Sequence, residues 1–193
     1  YPNSNYYDNA IYDMATHYKN RSDYNIAKEY YDLLISSSVD DDFLAESYLS
    51  KGMIDFNIGN IDPAIEQFLF VVNNYQHTKY FKQAISALQV SYASIAQIDE
   101  YLLIIESLPN VSLSNSEQDS LIYNTGFMKF SEEDYPVAHS TFDKYISRFQ
   151  DGVFINEATY YNALSLLMIG DTAQAILNYE RLLEVGPSSF EEE

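Results

Sequence analysis

The chain has 193 residues, 47% of them hydrophobic, which is enough for a packed core, and no cysteine, which excludes disulfides and thiolate metal sites. Twenty-nine acidic residues against ten basic ones give a formal net charge of −19, and the basic residues are scattered, with Lys79/Lys82 and Lys144/Arg148 among their few local pairs. Phosphate binding needs clustered Lys and Arg, so nucleic acid and anionic membrane surfaces are poor partners; a neutral or basic polypeptide suits this charge, which also serves solubility.

One pattern recurs every 37 residues. Ala10 steps to Ser47, Ala84, Leu121 and Ala158; Ala15 steps to Gly52, Gln89, Gly126 and Ala163. Further along each period stand Ala27, Ala64, Tyr101, Ala138 and Ala175, and four residues beyond those Tyr31, Phe68, Ile105, Phe142 and Tyr179. A period of this size marks a stacked-repeat protein, and such arrays bind mainly through an extended face.

Each period contains two helical patterns. In the second, Ala45–Ile58 carries a broad apolar face that Gly59-Asn60 interrupts; Asp62 is expected to cap the next helix with Pro63 at its first position, followed by Ala64, Ile65, Phe68, Leu69 and Val72 at helical spacing. The fifth repeats this, with Ala158–Ile169, then Gly170-Asp171, then Ala175, Ile176, Tyr179, Leu182 and Leu183. Two helices joined by a tight turn make a helical hairpin. The small residues of the first helix and the alanine of the second are expected to let the axes approach, and the large residue four later to fill the gap toward the next hairpin.

The small residue of the first helix, the turns Gly59-Asn60 and Gly170-Asp171, the alanine of the second helix and the aromatic four later together resemble the tetratricopeptide repeat. The spacing of 37 exceeds that family's usual 34 and is similar to a bacterial cell-envelope variant whose repeats are linked by a Tyr-Pro-x-Ser-like turn, as at Tyr1-Pro2-Asn3-Ser4 and, degenerately, Tyr75-Gln76-His77-Thr78. The resemblance implies an all-α, right-handed α-α superhelix of five hairpins plus the start of a sixth. It is expected to be one array over residues 1–193, with repeats at approximately 4–37, 41–74, 78–111, 115–148 and 152–185. Pro2 and Pro187 lie five periods apart, and Ser188–Glu193 reads as a new helix start, so the array is expected to continue on both sides. The resemblance further implies a non-catalytic scaffold without cofactors, in a bacterial periplasm or cell envelope, with a cytoplasmic setting as the alternative.

The third period departs from the pattern: Gln89 and Tyr101 stand in the small slots, and Ile98–Leu108 has no small residue before Ser107. A splayed hairpin is expected there, followed by a polar connector after Pro109 and a capping box from Ser114 to Glu117. Either this is drift in one repeat or it is a hinge.

No catalytic constellation is visible. His17, His77 and His139 fall in different phases of the repeat, and no two share metal-ligand spacing on one helix. Asp40-Asp41-Asp42 lacks the alternating ligands and glycine of a calcium loop and reads as a helix start; Glu132-Glu133-Asp134 reads as a turn. The sequons Asn20-Arg21-Ser22 and Asn110-Val111-Ser112 are expected by chance.

The unusual enrichment is tyrosine, 19 residues, which serves both half-buried packing and recognition. The resemblance places the first helices on the concave face. The partner-binding candidates it implies are Tyr12, Leu49, Met53, Phe56, Val90, Tyr123, Phe127, Phe130, Tyr160 and Leu164, with Thr16, Lys19, Ser86, Ala93 and Leu167 on the same face. The set suits a peptide with hydrophobic anchors. Family members that hold a terminal carboxylate use Lys, Asn and Arg where this chain has Tyr12, Thr16, Leu49, Met53, Tyr123 and Phe127, so an acidic tail is disfavoured. The alternative function is a structural spacer or self-association element.

Overall fold

The structure, a computed structural model, describes residues 5–185. Ten α-helices and no strand occur among them: α1 Asn5–Asn20, α2 Tyr24–Ser37, α3 Asp41–Asn57, α4 Ile61–Asn74, α5 Phe81–Ser94, α6 Ile98–Ser107, α7 Asn115–Ser131, α8 Tyr135–Arg148, α9 Ile155–Ile169 and α10 Thr172–Val185. The fold is all-α and built of helical hairpins. Two compact units divide at Tyr92/Ala93, inside the departing third period. The turn at residues 1–4 and the helix start after Pro187 lie outside the described residues.

The turns inside the hairpins keep a strict register. Ser22, Gly59, Ala96, Glu133 and Gly170, each 37 residues apart, all adopt positive φ, between 55° and 90°. The residue at this position donates its N–H to a carbonyl three back in every case, such as Gly59 to Phe56 at 3.0 Å and Glu133 to Phe130 at 3.0 Å. In four of the turns the next N–H reaches a carbonyl five back, as in Asn60 to Asp55 at 2.8 Å and Asp171 to Leu166 at 2.9 Å. This is the left-handed helix ending that satisfies the last carbonyls. Only two of the five positions are glycine, so tertiary packing imposes the geometry even on Ala96 and Glu133.

The same register moves one expected cap. Asn60, not Asp62, occupies the N-cap of α4, and its side chain makes no capping hydrogen bond. Pro63 is the third helical residue rather than the first, a place where its missing N–H leaves no bond unmade. The left-handed residue at 59 ends one helix and aims the chain into the next at once. Other helix starts follow sequence expectation. Asp40 caps α3 by accepting from Asp42 N–H at 2.9 Å and Phe43 N–H at 3.3 Å, and Ser114 with Glu117 forms a reciprocal capping box.

Hairpin packing rests on the small slots. A Cβ built on Gly52 would lie 2.5 Å from the Phe68 ring, and one on Gly126 would lie 2.8 Å from the Phe142 ring. The rings of Phe68 and Phe142 are fully buried. Each therefore seats on the glycine of its own hairpin, and the Phe142 ring also lies 6.0 Å from that of Tyr161 in the next hairpin. Ser47 and Ala158 are fully buried where α3 packs on α2 and α9 packs on α8, whereas Ala10, in the same slot of α1, is exposed.

Candidate binding groove

In the first unit, the first helices of successive hairpins present one face. Leu49, Met53 and Phe56 of α3 and Val90 of α5 line a cavity of about 560 Å³, with Phe68 at its floor. Met53 is 47% exposed and Val90 54%, so these apolar side chains are open to a ligand, while Leu49 is buried and Phe56 half-buried. Ser50 and Ala87 are also part of the lining, and their small side chains leave the cavity unfilled at their positions. Lys19, Glu46, Tyr80 and Gln83 supply polar groups along the same cavity.

Tyr12 does not line the cavity but fixes a residue that does. Its hydroxyl donates to Glu46 Oε1 at 2.5 Å, and the Tyr80 hydroxyl donates to Glu46 Oε2. Burial, then the Glu46 carboxylate, pushes the Tyr12 hydroxyl up to about 12, and the same causes raise Tyr80. Both phenols stay protonated as donors. Phe43 packs on the Tyr12 ring at 5.9 Å, and the Lys19 ammonium lies 6.0 Å over the Tyr31 ring.

Charged ties hold the helices beneath. Lys28 of α2 pairs with buried Asp55 of α3, and Lys51 of α3 pairs back to Asp32 of α2.

The second unit treats the corresponding positions differently. Tyr123 of α7 is half-buried and stacks on Phe154 with ring centroids 4.4 Å apart and planes 7° apart. Phe127 and Phe130 each lie 5.0 Å from the Tyr161 ring, and Phe142 lies 6.0 Å from it. The structure thus joins these three candidates into an aromatic stack between α7 and α9, from which Phe127 remains 40% exposed. Tyr160 is 46% exposed and packs edgewise on Tyr161 and Tyr179; Leu164 is half-buried. Buried Asp119 anchors the connector below, accepting from the Tyr145 hydroxyl at 2.5 Å and Val153 N–H at 2.9 Å. A separate cavity of about 470 Å³ in this unit is lined by Ile146, Ile155, Thr159, Arg181 and Leu182, none of them a candidate from sequence.

Sequence reading missed Glu46, Tyr80 and Gln83. A signal was present for the first: Glu46 stands three residues before Leu49 and seven before Met53, on the same helical stripe. Tyr80 precedes α5 and enters the groove through the connector, which helical periodicity does not report.

No group of three or more His, Asp or Glu able to hold a metal, and no helix long and apolar enough to cross a membrane, occurs among the described residues. No family model and no curated protein matches the chain. Among solved structures it is similar to MamA, at 17% identity and a TM-score of 0.48 over 92% of this chain and 90% of that one. It is also similar to MamA 41-end from Desulfovibrio magneticus RS-1, at 14% identity and 0.48 over 92% and 94%. A third is YrrB, described as a TPR protein with an unusual peptide-binding site, at 14% identity and 0.45 over 93% and 86%. Likeness at these values identifies neither a family nor a function.

Proposed function

We propose that the chain is a non-catalytic protein–protein interaction scaffold that docks a neutral or basic polypeptide segment on its first-helix face, with the cavity of the first unit as the docking groove. The observation that carries this reading is the convergence of Leu49, Met53, Phe56 and Val90 on one cavity in which Met53 and Val90 stay about half-exposed. A concave apolar surface with a few placed polar groups is the usual form of a binding site. The net charge of −19 selects against acidic partners. Tyr123, Phe127, Phe130, Tyr160 and Leu164 belong to this reading as a secondary surface, with Phe127 and Tyr160 its accessible members. A bacterial envelope setting accompanies it.

The test is selection from a displayed random-nonapeptide library on the native chain, with counter-screening on Ala87→Tyr, which plugs the groove from its half-buried wall. Peptides that bind the native chain and lose the plugged variant support the groove; equal binding to both moves the site elsewhere.

The structural-spacer reading has one observation in its favour. Met168, Ile176, Leu177 and Leu183 of α9 and α10 are exposed apolar side chains, at 48–81%. Mass that rises with concentration in light scattering, and falls on Ile176→Asp/Leu183→Asp, would favour self-association through that face.

A further inference from the structure

We propose that Glu46 sets the specificity of the groove by receiving an arginine or lysine side chain of the docked segment, while an aliphatic or aromatic residue of the same segment seats on Met53, Phe56 and Val90. This rests on the groove reading above and adds the partner's chemistry.

The Glu46 carboxylate stands on the cavity wall, partly buried, and is held from both sides by the Tyr12 and Tyr80 hydroxyls. Those phenols are neutral. They orient the carboxylate without cancelling its charge, and each oxygen keeps a further acceptor direction. No cation pairs with Glu46 among the described residues, whereas buried Asp55 has Lys28 and exposed Asp99 has Lys144. A fixed, uncompensated carboxylate beside apolar walls is an arrangement that a guanidinium or ammonium completes, and partial exclusion of water strengthens that pairing.

Lys19 lies on the same cavity, but its ammonium sits over the Tyr31 ring and so already faces a π-surface. The groove therefore offers its negative group preoriented and its positive group engaged, which selects a cationic rather than an anionic anchor.

The geometry also fixes a spacing. Glu46 and Met53 are two turns apart on α3, about 10 Å at 1.5 Å per residue, and an extended segment covers that length in about three residues. The expected recognition element is an apolar residue and a basic residue three positions apart.

Fluorescence anisotropy with labelled Gly/Ser nonapeptides tests this. One peptide carries Leu and Arg three positions apart, a second carries Glu in place of Arg, and a third carries Leu alone. The Arg peptide is expected to bind the native chain about tenfold more tightly than the other two, with a preference that shrinks at high salt. Glu46→Gln is expected to abolish the preference and leave the Leu-only peptide unchanged, and Ala87→Tyr to remove all three.

Equal affinity of the Arg and Glu peptides for the native chain, tighter binding of the Glu peptide, or retention of the Arg preference in Glu46→Gln would overturn the inference and leave the groove standing. Binding of no peptide would overturn both. Equal ranking of the Arg and Glu peptides by the native chain overturns the inference even where Glu46→Gln proves unstable.

Discussion

The two units carry the same repeat positions and use them in opposite ways. In the first, Ser50 and Ala87 line an open cavity beside Met53 and Val90. In the second, Asn124 and Tyr161 stand at that register, and the Tyr161 ring meets Phe127, Phe130 and Phe142. Phe43 on Tyr12 and Phe154 on Tyr123 show the same partnership at two strengths, with centroids 5.9 Å apart in one and 4.4 Å in the other. One side chain per repeat thus decides whether a first-helix face is a groove or a packed seam. The lesson is that a repeat's register identifies a face, and the size of its neighbours decides what the face does.

The largest expected effect comes from removing that deciding ring. Tyr161→Ala leaves three phenylalanines without their common partner and should destabilise the chain by about 3 kcal/mol in urea unfolding, short of a full core truncation because Tyr161 is only half-buried. A cost under 1 kcal/mol would dissolve the contrast between the units.

Close to it stands Lys28→Met. Asp55 is buried and loses its ion-pair partner Lys28, which should cost about 2–3 kcal/mol, because an unpaired buried charge is penalised more than the pair is worth. Lys28→Met/Asp55→Leu should recover most of the loss. A double variant no better than the single one would show that the tie in the first unit is not electrostatic.

Gly52→Ala and Gly126→Ala compare the two hairpin contacts directly. Each places a Cβ against a fully buried ring, at 2.5 Å and 2.8 Å respectively. Overpacking of about 1–3 kcal/mol is set against a helix-propensity gain of about 1 kcal/mol, so both should destabilise, Gly52 more than Gly126. Reversal of that order in thermal melts would mean the rings shift freely.

The third period gives a pH test. Burial, then the Glu117 charge, raises the Tyr101 hydroxyl to about 12 from its ordinary 10. The folded pKa lies above the unfolded one, so the associated stability is fully present below pH 10 and is lost as pH rises toward 12. Tyrosinate absorbance against pH should show a late-titrating amplitude, shared with Tyr12 and Tyr80, that is smaller by one tyrosine in Tyr101→Phe.

The smallest effect distinguishes the first hairpin from its neighbours. Tyr31 occupies the slot of Phe68 and Phe142, but its buried hydroxyl has no hydrogen-bond partner among the described residues. Tyr31→Phe should raise stability by about 1 kcal/mol, measurable as a higher urea midpoint. A loss of stability would mean the hydroxyl is satisfied in solution.

Sequence by itself determined the hairpins, because helical spacing of apolar residues and a repeated small–small–aromatic set leave one economical way to bury the apolar stripes. The family resemblance implied Leu49, Met53, Phe56 and Val90 as members of one face, and the period of 37 relates Met53 to Val90 on successive hairpins. Tertiary structure alone decided the rest. It put Ala96 and Glu133 into left-handed turns that their residue types disfavour, and it moved the α4 cap from Asp62 to Asn60. It brought Tyr12 and Tyr80, from either side in the chain, onto the two oxygens of Glu46. The reason is one of range: periodicity records how each residue faces its own helix axis, whereas whether a face is filled or open depends on the volume that other helices and connectors bring against it.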